Sequence, residues 1–199
     1  MRLLICTALI LSAFGWSCRS GGAPQQVYPK EEFLYREGKS DGQIYRYRVY
    51  VPSGIHSNEK LPAMLYLHGA GNRGDDNESQ LNGLAETIRE RHEQFKFIVV
   101  IPQCPAGRFW DEQMIGQAIM ALDDTVADLN ADPDRLYLAG FSLGGFGVWN
   151  TAAMYPEKFS AIVPMSGRVL PRQQEMKRVS PIIAQLARAE DPYKGFAER

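Results

Sequence analysis

The sequence predicts an α/β domain: a mostly parallel sheet with helices on both faces. Apolar runs of strand length alternate with stretches of helical periodicity. The interior runs are apolar without alternation, as strands covered on both faces must be. Composition agrees: 199 residues, 45% of them hydrophobic, with a net charge of −1, suffice for one packed core and argue against a disordered chain. So neutral a chain, lacking a local basic cluster, has no electrostatic basis for nucleic-acid binding.

Taken in order, residues 1–17 read as a signal peptide. Arg2 supplies the positive start, and residues 3–16 form an uncharged, mostly apolar run too short to span a bilayer. Cys18 follows Gly15-Trp16-Ser17, which resembles a bacterial lipoprotein processing site and makes Cys18 a candidate for lipidation. The alternative is plain secretion with an incidental cysteine. Either way the chain is expected outside the cytoplasm, periplasmic or at the outer surface. Residues 18–30, rich in Gly, Pro and Gln, read as a tether. One domain is expected from residue 31 to 199.

Residues 43–51 alternate: Tyr45, Tyr47, Val49 and Val51 share one face, and Arg46 and Arg48 the other, predicting a half-exposed strand. Residues 61–67 are a buried strand entering His68-Gly69-Ala70-Gly71. Leu81, Leu84 and Ile88 predict a helix over 80–94. Residues 95–102 read as a buried parallel strand. Ile115, Ala118, Ile119, Leu122, Val126 and Leu129 make the apolar stripe of a helix over 111–129. Asp132-Pro133-Asp134 turns the chain into a strand over 135–140. A helix opens at Ser142 and runs to about Met154, and residues 159–165 form one more apolar strand. Beyond Gly167 only a short helix over 182–189 is expected.

The chemistry is carried by Gly140-Phe141-Ser142-Leu143-Gly144, a Gly-x-Ser-x-Gly pattern with Gly145 beyond it. A serine on a sharp strand-to-helix turn needs glycines on either side, where a side chain would meet the neighbouring strand or helix. Such a turn lifts the hydroxyl clear of the sheet and places amide N–H groups at a helix N-terminus, where an oxyanion is favoured. Ser142 is therefore the candidate nucleophile. The loop at His68-Gly69-Ala70-Gly71 offers the second oxyanion donor, so the hole is assigned to the N–H groups of Ala70 and Leu143. His68 reads as a structural imidazole bonded to loop backbone. Phe109 and Trp110 are candidates for the acyl pocket, with an aromatic core role as the alternative. Cys104 reads as a small buried hydrophobe. No cofactor is called for. A metal site is not supported, because His56, His68 and His92 lack ligand spacing and Asp75, Asp76 and Glu78 read as a solvated loop.

Three motifs arriving in order resemble the α/β-hydrolase esterases, in the phospholipase/carboxylesterase and polyhydroxybutyrate-depolymerase-like branch. They are the stretch from Leu65 to Gly74, Pro102-Gln103-Cys104-Pro105, and the stretch from Asp132 to Gly145. Tyr155-Pro156-Glu157-Lys158-Phe159 and Ile162-Val163-Pro164-Met165-Ser166-Gly167 match as well. The resemblance implies the α/β-hydrolase fold and a Ser–His–Asp mechanism on small-molecule or polymeric esters.

The resemblance also implies two strands after residues 159–165, the first carrying the acid and the last the histidine. No histidine follows Ser142; the three present are His56, His68 and His92. The sequence therefore reads as an α/β-hydrolase lacking its last strands, a fragment or a truncated product, with residues 159–165 at a sheet edge. Two other readings stand beside an exported esterase: an inactive relic acting as a binding module, and a peptidase of the prolyl oligopeptidase type.

Overall fold

The computed structural model describes residues 33–53 and 60–168. The expected signal peptide, the tether, Cys18, His56 and the helix over 182–189 lie outside the described residues. Six strands form one sheet in the order β1-β2-β4-β3-β5-β6: β1 (Phe33–Ser40), β2 (Gln43–Tyr50), β3 (Ala63–Leu67), β4 (Ile98–Pro102), β5 (Leu136–Phe141) and β6 (Ala161–Met165). β1–β2 and β2–β4 pair antiparallel; β4–β3, β3–β5 and β5–β6 pair parallel. The helices are α1 (Leu84–Glu90), α2 (Glu112–Asp128) and α3 (Leu143–Met154).

Strand residues alternate between two cores, which is why the middle strands are apolar throughout. Ile98 and Val100 of β4, Leu65 and Leu67 of β3, and Leu138 of β5 face a core shared with Ile115 and Leu122 of α2 and Val148 of α3. Val99 and Ile101 of β4 face the other core, with Tyr50 and with Ala85 and Ile88 of α1. Asp111 caps α2 by accepting the Met114 N–H at 3.0 Å. At the far end of the sheet, Val163 and Met165 of β6 are exposed. Lys158, just before β6, pairs with Asp123 of α2 at 2.6 Å.

The elements expected over 43–51, 61–67, 95–102, 111–129, 135–140, 142–154 and 159–165 are present, with shifted ends. Two features differ. β1 was not expected as a strand. It pairs with β2 through a two-residue turn in which Asp41 and Gly42 both take positive φ (49° and 78°), the primed turn that suits hairpin twist. Within β1, Gly38 stands opposite Tyr45, whose ring occupies the space a side chain at 38 would fill. The second difference is the helix expected over 80–94. Gly83, at φ 87°, breaks that periodicity into a 3-10 turn (Ser79–Leu81) and the short α1.

Candidate active site

The strand–helix junction is tight. Ser142 links β5 to α3 at φ 52° and ψ −112°, a conformation rare for residues other than glycine. Its side chain makes no capping bond to α3, and the residue is half-buried. Its N–H donates to the Met165 carbonyl at 2.9 Å, which ties the turn to the end of β6. A Cβ at Gly140 would lie 2.5 Å from the Gly144 carbonyl oxygen, and one at Gly144 would overlap the Leu67 carbonyl. Gly145 meets the Met165 carbonyl oxygen at 2.5 Å in the same sense. The glycines thus let α3 start directly against the ends of β3 and β6. Leu143 is the first residue of α3, so its N–H has no carbonyl one turn back.

The loop after β3 runs alongside. β3 and β5 pair in register up to Leu67 opposite Gly140, which brings the following residues level with Ser142. A Cβ at Gly69 would lie 3.7 Å from that of Ser142. The His68 ring is buried beneath this loop. Nδ1 sits 2.8 Å from the Gly69 carbonyl oxygen, and Nε2 accepts the Cys104 N–H at 3.0 Å. Burial, with Arg73 adding to it against the Gly69 bond, pushes the His68 pKa down to about 4. Ala70 is exposed, and its carbonyl accepts from Arg73 Nε at 3.0 Å.

Farther along, the loop is fastened to the exit of β4. The Gln103 side chain donates to Asp76 Oδ1 at 2.6 Å and accepts the Asn77 N–H at 2.7 Å. Asp76 also accepts the Ser79 hydroxyl at 2.5 Å and the N–H groups of Ser79 and Glu78. Hydrogen bonds from Ser79 and Gln103 hold its carboxyl well below the usual carboxylate range. Asn77, fully buried at φ 54°, donates to the Tyr47 carbonyl and accepts from Gln80. Arg48 of β2 reaches the Asn77 carbonyl at 2.7 Å and Glu78 at 2.8 Å. Asp75, Asp76 and Glu78 are exposed, as read from the sequence, and the buried Asn77 and Gln80 among them anchor the loop as a polar clamp. The Asp-x-x-Ser spacing, a local side-chain-to-backbone signature, is the sequence signal that marks it.

Trp110 takes the second of its two readings, the aromatic core. It is only 3% exposed and belongs to the core, with its Cβ region against Gly147 of α3. Its indole N–H donates to the His68 carbonyl at 3.1 Å, so it closes the floor of the loop instead of lining an opening. Phe109 is 61% exposed, with the Arg73 guanidinium 5.8 Å from its ring centre. Cys104 is buried, and burial raises its thiol to about 11, which leaves it inert. Among the described residues no imidazole hydrogen-bonds Ser142; His92 lies at the end of α1 beside the Arg89 carbonyl.

A largely parallel sheet in which a buried strand, β5, turns through Gly-x-Ser-x-Gly into a helix defines an α/β-hydrolase. The chain belongs to the Esterase family, whose model, described as "Putative esterase", matches residues 39–194. It is 32% identical over 161 residues to the bifunctional acetylxylan esterase/xylanase XynS20E of Neocallimastix patriciarum, covering 77% of this chain and 22% of that protein. It is 30% identical over 145 residues to poly(3-hydroxyalkanoate) depolymerase C of Paucimonas lemoignei, covering 65% of this chain and 33% of that one. The crystal structure of a thermostable esterase superimposes with a TM-score of 0.67 at 28% identity, covering 75% of this chain and 44% of that one. The chain thus spans less than half the length of each of these relatives.

Proposed function

We propose that the protein is an exported serine hydrolase of carboxylic esters in which Ser142 is the nucleophile. The observation that carries this reading is the strained Ser142 backbone on a turn that no side chain at 140 or 144 could enter, next to the loop that follows β3. Ser142 Oγ adds to the ester carbonyl carbon. The carbonyl oxygen takes up the electron pair and is received by the N–H groups of Leu143 and Ala70. Collapse expels the alcohol and leaves an acyl-enzyme, which water cleaves. A general base takes the proton of Ser142 and returns it to the departing alcohol. Small or polymeric esters are the substrate class, in keeping with the names of the relatives above. Export rests on residues 1–17, and Cys18 is the point of lipid attachment.

A fluorophosphonate probe on the intact gene product is expected to label Ser142 with loss of fluoride, and Ser142→Ala to abolish both labelling and p-nitrophenyl acetate turnover. A folded, intact product that takes no label overturns the reading.

A further inference from the structure

Ala70 would present its N–H through the peptide it shares with Gly69. That peptide is planar and trans, so its C=O and N–H point in opposite directions. Whatever holds the Gly69 carbonyl therefore aims the Ala70 N–H. Two groups hold it: His68 Nδ1 at 2.8 Å and the Asn72 N–H at 3.1 Å. At the other side of the ring the Cys104 N–H meets Nε2 at 3.0 Å. An amide N–H only donates and a carbonyl only accepts. The ring must therefore carry its proton on Nδ1 and its lone pair on Nε2, a single neutral tautomer with both nitrogens engaged. Trp110 fixes the ring plane from the side, edge-on at 5.2 Å between centres. The ring lies in the interior, so a Gly69 carbonyl turned toward it leaves the Ala70 N–H pointing away from the ring, and Gly69 itself stands beside the elbow, a Cβ there lying 3.7 Å from that of Ser142.

We propose that His68 is the positioning residue of the oxyanion hole, aiming the Ala70 N–H by fixing the carbonyl at the opposite end of the same peptide through Nδ1–H. It touches neither substrate nor nucleophile, and with both nitrogens engaged it cannot serve as the base. This rests on the esterase reading above. It distinguishes the two ends of the ring: the Nδ1 bond serves the transition state, whereas the Nε2 bond to Cys104 serves only the seating of the ring.

Substitution separates them. His68→Asn keeps an amide N–H at the Nδ1 position but cannot reach Cys104. His68→Gln reaches Cys104 with an amide oxygen but leaves the Gly69 carbonyl to the Asn72 N–H alone. In the intact gene product, kcat and KM for p-nitrophenyl acetate, the fluorophosphonate labelling rate and Tm are measured together. Loss of one oxyanion donor is worth about 100-fold or more in kcat, so His68→Gln is expected to fall at least about 30-fold with KM within about 2-fold. His68→Asn is expected to retain kcat within about 5-fold while showing the lower Tm. Equal losses of kcat in the two variants, or losses that follow Tm, overturn the proposal. A folded wild-type product with neither labelling nor turnover overturns the esterase reading itself, and this is seen without any variant.

Discussion

At the β5–α3 elbow, Gly140, Gly144 and Gly145 bring backbone against backbone, with no room for a methyl group beside Leu67 or Met165. The loop that faces it across β3 is held differently, by side chains arriving from elsewhere: His68 on Gly69 and Cys104, Gln103 on Asp76 and Asn77, Arg48 on Asn77. One half of the site is shaped by what is missing and the other by hydrogen bonds among partners far apart in sequence. Steric exclusion gives no partial credit, whereas a network of hydrogen bonds yields a bond at a time. The elbow should therefore fail outright when altered, and the loop by degrees.

Gly144→Ala is the severest test. Its Cβ would overlap the Leu67 carbonyl, so β3 and α3 must separate, and a loss of more than about 4 kcal/mol, or no soluble folded protein, is expected in urea unfolding. A folded variant losing under about 1 kcal/mol would show that the elbow yields as the loop does.

Next comes acid. His68 titrates at about 4 when folded and near 6.5 when unfolded. Between those values the unfolded chain holds one more proton, so stability is full above pH 6.5 and declines as pH falls toward 4. A pK difference of this size corresponds to roughly 3 kcal/mol, read from urea midpoints across that window. Asp76 adds in the same direction at lower pH, since its folded carboxyl is depressed and its contribution fades as pH falls below the usual carboxylate range. A flat profile from pH 7 to 4 would mean that the His68 ring is not buried neutral.

Gln103→Leu should cost about 1–3 kcal/mol, because it strands the buried Asn77 N–H and one acceptor site of Asp76. Thermal unfolding should show a lowered midpoint with retained cooperativity, a graded response. Gly71→Ala closes the series. Nothing lies within 4 Å of a Cβ there, so the change should stay within about 0.5 kcal/mol, against the collapse expected for the same substitution at Gly144.

The amino-acid sequence by itself determined the parallel centre of the sheet, α2, and the elbow. Each rests on a local requirement: an apolar run covered on both faces, a 3-4 stripe, glycines where no Cβ fits. It did not reveal β1, because Gly38 looks unsuited to a strand until Tyr45 covers it from the opposite one. Nor did it reveal that Gly83 would cut short the helix before residue 84. Trp110 read equally well as pocket or core, and only packing against Gly147 and His68 placed it in the core. His68 was legible as an imidazole bonded to loop backbone, but which nitrogen carries its proton was decided by tertiary structure alone. Its tautomer depends on an amide 36 residues away at the end of another strand, and no local pattern encodes the direction from which that partner arrives.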